Sequence, residues 1–361
     1  TLDRNGLRPA RYVVTKDDLV ILASEVGVLP INEENIAHKW RLEPGKMLLI
    51  DTDQGRIIGD EEIKETLIAE RDYGALLRES VVSLTDLHSD KAVSVPRDAP
   101  GLLDLQQSFG FTQEDIKFVL MPMAELGQEA TASMGNDSPL AVLSDKNKSL
   151  YSYFKQLFAQ VTNPPVDPIR EELVMSLISY IGPKPNLLGV DYATVIKRLE
   201  VAQPILGSED YEALLNIGQS TGGDFDSETI DTTFTRDDGP DGMERALQAI
   251  CDQAERAVHN GKTILILTDR AVSPVRVAIP ALLATSGVHH HLVRSGLRTK
   301  TGLVVSTGSA REVHHFALLA GYGAEAIHPW LTMETLAAIS DELKQDSDTN
   351  QKNFIKAVGK G

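Results

Sequence analysis

Cysteine is almost missing from this sequence: Cys251 stands alone among 361 residues. One thiol excludes an internal disulfide framework and cannot supply the ligands of an iron–sulfur cluster. No apolar run approaches the ~18 residues of a membrane span, and the chain opens on no signal or transit pattern. Basic tracts are missing too. Lys and Arg number 35 against 52 Asp and Glu, and the resulting net charge of −17 is spread along the chain. That balance disfavours nucleic acid and anionic membranes as partners. A reducing compartment, cytoplasm or plastid stroma, fits. Glycine-rich phosphate loops are also absent, since Gly321-Tyr322-Gly323 does not continue into a dinucleotide or P-loop signature. There is no solenoid repeat and no low-complexity tract.

What is present reads as about two domains with enough chain for a sizeable core. Asn5-Gly6 supplies the positive-φ pair of a tight reversal, Pro9 stiffens its exit, and Tyr12-Val13-Val14 begin a strand. The chain therefore reads as entered mid-fold, with a strand expected before Thr1. Leu19–Leu22 form another strand, and Met47–Ile50 with Arg56–Ile58 form a hairpin around Asp51–Gly55. Asp60 is expected to cap a helix that carries Glu61 and Glu62 in its first turn, where carboxylates suit the positive end of the dipole. The segment 86–100, rich in Ser, Asp and Pro, reads as a linker.

From Leu102 the pattern turns helical, broken at Pro164-Pro165 and restarted at Asp167-Pro168. Residues 206–241 look polar and irregular. Met243, Leu247, Ile250, Ala254 and Ala257 then recur at spacings of 4, 3, 4 and 3, one face of an amphipathic helix ended by Gly261. Thr263–Thr268, Leu303–Ser306 and Ala326-Ile327 are strands, each followed by a helix: through Leu282 and Leu283, over Glu312–Leu319, and around Leu336. Three such units predict a parallel sheet covered by helices. The fold class is α/β, an α+β remnant followed by a domain with that parallel sheet.

Ligands in open α/β sheets gather at the carboxyl ends of strands, here Thr268-Asp269-Arg270 and Ser306-Thr307-Gly308-Ser309. The second resembles a phosphate cradle, but Ser309 with Glu312 also spells a capping box, and that reading is preferred. Asp269 and Arg270 read as a strand-end turn with mutual charge pairing. His289-His290-His291 and His314-His315 hold five of the nine histidines. Consecutive helical residues point ~100° apart, so the triplet cannot converge on one ion; buried hydrogen-bonded or interface roles are expected. Cys251 reads as a small core residue. Arg4, Arg8 and Arg11 could reach a substrate carboxylate or serve as hairpin charges. No catalytic, cofactor-binding or metal-ligating residue is assigned.

Several long words in this chain resemble one family. They are Phe-Gly-Phe-Thr-Gln-Glu-Asp at 109–115, Met-Pro-Met-Ala-Glu-Leu-Gly-Gln-Glu at 121–129, Met-Gly-Asn-Asp at 134–137 and the stretch 158–171. Others are Ile279–Ala284, Val288–Leu292, Gly296–Thr299, Arg311–Ala324 and Ile355–Gly361. Together they resemble the central domain of glutamate synthase, and the opening turn resembles the late hairpin of its glutamine amidotransferase domain. Only 86–100 and 344–352 are unmatched. The resemblance implies four parts: residues 1–85 as the C-terminal part of a class II glutamine amidotransferase domain, 86–100 as linker, 101–345 as the central α/β domain, and 346–361 as the connection toward an FMN-binding synthase domain. It further implies an enzyme that hydrolyses glutamine, tunnels ammonia and reductively aminates 2-oxoglutarate to give two glutamates. FMN, an iron–sulfur cluster and an electron donor, ferredoxin or an NAD(P)H-oxidising subunit, would belong to the complete enzyme, and no cofactor is expected in this chain. The glutamine-hydrolysing cysteine is expected upstream and the flavin barrel with its cluster cysteines downstream. The alternative is a stand-alone α/β small-molecule-binding or scaffold module.

Overall fold

The computed structural model describes residue 6 and residues 8–88, 99–131, 143, 145, 148–154, 175–184 and 197–361. The turn at 2–5 with Arg4, the words at 134–137 and 158–171, the Pro164-Pro165 break and most of the 86–100 segment lie outside the described residues. The chain divides into two compact units, Thr1–Glu79 and Ser80–Gly361.

In the first unit, β1 (Arg11–Thr15) lies between β2 (Val20–Ala23) and β3 (Ile36–Arg41) in an antiparallel sheet. The turn into β2 places Asp18 at φ 62, a left-handed conformation that aspartate tolerates better than most residues. Gly6 sits at φ +62, and a Cβ there would lie 2.6 Å from Cγ of Pro44. Two reasons therefore exclude larger residues. A hairpin of β4 (Leu49–Asp51) and β5 (Arg56–Ile58) closes where Asp51 Oδ1 accepts from the amides of Asp53 and Gln54, with Gly55 at φ +63. The following helix runs Asp60–Ala69, but its cap is Gly59, which corrects the expectation for Asp60. Asp60 instead accepts from Met47 N at 3.0 Å and pairs with Lys46 and Lys64.

In the second unit, β6 (Val81–Ser83) and β7 (Ser179–Ile181) flank β8 (Arg198–Val201). The main sheet comprises β9 (Ser227–Asp231), β11 (Ile264–Thr268), β13 (Gly302–Ser306) and β14 (Ala326–His328), all parallel in the order β14-β13-β11-β9. Between β9 and β11 in the chain, β10 (Thr233–Thr235) pairs with β12 (Arg276–Ala278). The stretch 206–241 is therefore not irregular, because it contains helix Ser208–Leu215 as well as β9 and β10. Its pattern hides this: β9 is an edge strand of polar residues in which Ile230 alone is fully buried.

All five residues of β11 and of β13 are buried, as a parallel sheet covered on both faces requires. Alternation assigns each residue to a face. Leu265, Leu267 and Leu303 pack with Ile250, Ala254 and Val288 of helices Gly239–His259 and Ala281–Arg294. Ile264, Ile266 and Val304 pack on the other side with Leu84, Ile181, Leu199 and Phe225. Burying each such side chain contributes about 1.5–3 kcal/mol. Helix Gly239–His259 ends as expected near Gly261, at φ +87, where Gly261 N donates to the carbonyl of Val258 and Lys262 N to that of Ala257. A third cluster, with Phe111, Leu120, Met123, Tyr151, Trp330 and Phe354, packs beside Val305 and Ile327. Helix Ser347–Lys360 contributes Phe354 and Ala357 to it.

Candidate functional site

The carboxyl end of the parallel sheet is where a ligand would be sought, and side chains of this chain meet there. Asp269, the residue after β11, is 2% exposed and accepts three hydrogen bonds. Thr307 Oγ1 donates to its Oδ2 at 2.6 Å; Gly308 N and Trp330 Nε1 donate to its Oδ1 at 2.9 and 2.7 Å. Burial pushes its carboxyl up to about 6, against the pull of those three donors. Arg270 turns elsewhere. Its guanidinium bonds Glu334 at 3.2 Å and lies 5.0 Å over the Trp330 ring. The mutual pairing expected from the sequence does not form, because adjacent residues at a strand end point to opposite sides.

The loop after β13 is likewise committed to its own chain. Thr307 N donates to the carbonyl of His328, Gly308 N to Asp269 and Ser309 N to Thr307 Oγ1. These are the amides that a phosphate would need. A Cβ on Gly308 would lie 2.8 Å from the Phe109 ring, so the space above the loop is filled by an aromatic side chain. The capping box is also corrected. The helix runs Val313–Gly321, Glu312 is its cap without a side-chain bond, and Ser309 Oγ lies 2.9 Å from both Thr307 Oγ1 and Tyr151 Oη. Neither this loop nor the lone Cys251 supplies the donors of a flavin phosphate or an iron–sulfur cluster.

Arg311 fastens the Phe109–Asp115 word to this edge. Nη1 donates to the carbonyls of Phe109 (3.3 Å) and Ser309 (3.4 Å), and Nη2 to that of Gly110 (3.0 Å). Its Nε lies 3.3 Å from Asp115 Oδ2, and the guanidinium stacks 4.6 Å from the Phe111 ring. The cation thus sits at the carboxyl end of helix Ala99–Ser108, where the dipole favours positive charge. Asp115 in turn caps the next turn, accepting from Thr112 N while Thr112 Oγ1 accepts from Asp115 N. A cleft of about 780 Å³ opens alongside, walled by Phe109, Tyr151, Asp269, Ile279, Ser309 and Arg311 among others.

The histidines disperse. His289 Nδ1 accepts from Arg298 Nε, the His290 ring bonds the Ser286 carbonyl, and His291 Nε2 meets Glu255 Oε2 at 2.6 Å. His315 is buried, stacks on Tyr151 at 4.2 Å and accepts from Arg311 N; burial, helped by Arg311, pushes its pKa down to about 3. His314 is exposed. Among the described residues, no group of three His, Cys, Asp or Glu side chains is placed to hold a metal ion. Cys251 is buried in the core, where burial pushes the thiol up. Arg8 and Arg11 are exposed in the first unit. Sequence reasoning missed Tyr151 and Trp330. Trp330 is one of two tryptophans, a signal that could have been used; Tyr151 carried none.

Comparison with known proteins decides the family. A family model described as the glutamate synthase central domain matches residues 104–361. The chain belongs to the glutamate synthase central-domain family. Residues 1–76 match the class II glutamine amidotransferases. Over 345 residues the chain is 47% identical to the large chain of an NADPH glutamate synthase of Bacillus subtilis, covering 96% of this chain and 22% of that protein. It is 41% identical to an NADH glutamate synthase of Schizosaccharomyces pombe, covering all of this chain and 18% of the relative. With a chloroplastic ferredoxin-dependent glutamate synthase of Oryza sativa it shares 40% identity, again over all of this chain and 23% of the relative. The chain thus spans about a fifth of the length of these relatives. Among the described residues no helix is long and apolar enough to cross a membrane.

Proposed function

We propose that this chain is the connecting middle of a glutamate synthase, an oxidoreductase of ammonia assimilation that makes two L-glutamate from L-glutamine and 2-oxoglutarate. Residues 1–85 close the class II amidotransferase domain, 86–100 link, 101–345 form the central domain, and 346–361 lead toward the FMN-binding synthase domain. The segment holds two reaction centres at fixed separation, so that ammonia crosses without meeting bulk water, a contribution of proximity and solvent exclusion. FMN, the iron–sulfur cluster and the electron donor, ferredoxin or an NAD(P)H-oxidising subunit, engage other parts of the enzyme. The observation that carries this reading is the state of the sheet's carboxyl edge, where the amides and side chains that could take a ligand are bonded to each other.

The test uses the complete enzyme. Gly6→Val strains the opening turn, whose φ of +62 and approach to Pro44 both exclude a branched side chain. Glutamine hydrolysis and ammonia-dependent glutamate formation should partly survive, while glutamate formed per glutamine consumed falls. A ratio at the parental value with both half-reactions slowed together would refute the coupling role. The 361-residue chain by itself should be colourless, free of flavin and iron, and inactive on glutamine. The cleft of about 780 Å³ favours one second reading, a small-molecule-binding module. Thermal stabilisation of the chain by glutamine, glutamate, 2-oxoglutarate or a nucleotide would select it.

A further inference from the structure

Four polar groups run in file along one wall of the cleft, to which Asp269, Ser309 and Tyr151 all contribute. Asp269 Oδ2 is 2.6 Å from Thr307 Oγ1, Thr307 Oγ1 is 2.9 Å from Ser309 Oγ, and Ser309 Oγ is 2.9 Å from Tyr151 Oη. The inner end, Asp269, is 2% exposed and the outer end, Tyr151, 4%, and both border the cleft. We propose that Asp269, Thr307, Ser309 and Tyr151 form a proton-coupled hydroxyl relay, through which the charge state of a buried carboxylate sets the hydrogen-bonding sense of a phenol on the cleft wall.

The valences allow two states only. A carboxylate accepts and cannot donate, so with Asp269 ionised Thr307 must give its hydroxyl proton inward. Thr307 Oγ1 then takes the Ser309 N–H on one lone pair and the Ser309 hydroxyl on the other, and Ser309 Oγ accepts from Tyr151. The phenol points inward and offers lone pairs to the cleft. When one proton is added, every bond in the file reverses. Thr307 passes its proton to Asp269 Oδ2, Ser309 passes one to Thr307, Tyr151 passes one to Ser309, and the proton from solvent lands on Tyr151 Oη. The phenol then donates to the cleft. One proton enters, no heavy-atom bond changes, and each oxygen keeps its full set of partners in both states.

The surroundings leave Asp269 as the group that titrates. Its pKa of about 6 is set by burial against hydrogen bonds from Thr307, Trp330 and Gly308. Burial pushes the Tyr151 phenol further up, so it stays neutral in both states. From the helix Val313–Gly321, His315 stacks on Tyr151 and is pushed down to about 3; burial also holds His328 neutral. Arg311 is engaged by Asp115, and Arg270 by Glu334 from the Trp330–Ala338 helix. Burial raises Glu334 and Glu312, and Glu334 bonds Arg270, which lies over the Trp330 ring.

Trp330 Nε1 donates to Asp269, so its emission reports the inner end. The experiment uses the 361-residue chain with Trp40→Phe, leaving Trp330 as the only tryptophan, and 13C-labelled tyrosine, with the Tyr151 resonance assigned through Tyr151→Phe. Both signals should titrate together with a midpoint near 6. Asp269→Asn should abolish both steps, and Glu334→Gln should leave both. Ser309→Ala cuts the file between Thr307 and Tyr151, so the Trp330 step should persist while the Tyr151 step disappears. The relay is overturned if Tyr151 still titrates in Ser309→Ala, if Glu334→Gln erases the Trp330 step, or if Trp330 shows no step near that midpoint. Should Asp269→Asn fail to fold, the Ser309 and Glu334 variants decide alone.

Discussion

The two units of this chain carry apolar residues of the same kinds and dispose of them in opposite ways. In the first, Leu22 and Trp40 flank Tyr12 across the sheet and are each 55% exposed, and Val28, Leu29, Leu49 and Ile68 are also exposed. In the second, Ile264, Leu265 and Ile266 lie at 0% exposure in successive positions of one strand. Pairing strands satisfies backbone groups in both units, but pairing alone buries one residue's neighbour and not its faces. A core needs a second layer. β11 has one on each side; the β2-β1-β3 sheet buries Tyr12, Val13 and Thr15 and little else. Stability should therefore reside in the second unit.

The most forceful attempt to break that comparison is Ile266→Ala. The side chain is fully buried between Val304 and the Leu199 cluster, and truncation should cost about 2–5 kcal/mol in urea unfolding of the second unit. Leu247 on the helix above is only partly buried, so its replacement should cost less. A loss below about 1 kcal/mol at Ile266 would mean that the core lies elsewhere.

Arg311→Leu comes next. It removes a cation bonded to the carbonyls of Phe109 and Gly110 and leaves the Asp115 carboxylate without its partner. The expected cost is about 1.5–3 kcal/mol, the range for hydrogen bonds to a charged group. Hydrogen exchange should quicken in Ala99–Ser108 before the sheet. Uniform acceleration across the unit would show that the arginine does not act as a local fastening.

A third test separates the edge of the sheet from its middle by pH. The folded carboxyl of Asp269 titrates near 6, above its ordinary value of 3.8, so between those values the folded state holds more of its proton than the unfolded state does. Stability from this group therefore falls as pH rises through the window, by on the order of 3 kcal/mol. His315 and His328 act with the opposite sign, since their folded pKa values are depressed and acid favours the unfolded chain. The difference between parent and Asp269→Asn isolates the aspartate: the parent should gain on acidification relative to the variant. A difference flat in pH would remove the buried charge from consideration.

Legibility followed burial. Ile264–Thr268 and Leu303–Ser306 could be read as strands because their apolar runs are continuous, and the helix ended by Gly261 because its stripe and its stop signal agree. β9 and β3 could not, since Ser-Glu-Thr-Ile-Asp and Ile-Ala-His-Lys-Trp-Arg carry mostly polar or exposed residues. The edge of the sheet was located from the strand ends, yet its partners were not. Tyr151 lies 158 positions from Ser309, and Trp330 lies 61 from Asp269. No periodicity or capping rule connects residues so far apart; only the packing of the third cluster brings them together.

The smallest expected effect sharpens the comparison most. Leu22→Ala in β2 removes an apolar side chain that is 55% exposed on the same face as Tyr12 and Trp40. In the 361-residue chain it should change stability by no more than about 0.5 kcal/mol, as expected of surface positions. In the complete enzyme the same residue would lie within the class II amidotransferase domain whose family model matches residues 1–76. If the rest of that domain covers this face, the same substitution should there cost about 2 kcal/mol or more. Unfolding of both forms, followed by Trp40 emission, measures the two costs. Equal small costs would mean that the exposed face is a surface of the enzyme. Equal large costs would mean that the first unit already owns a core that its exposed leucines and tryptophan conceal.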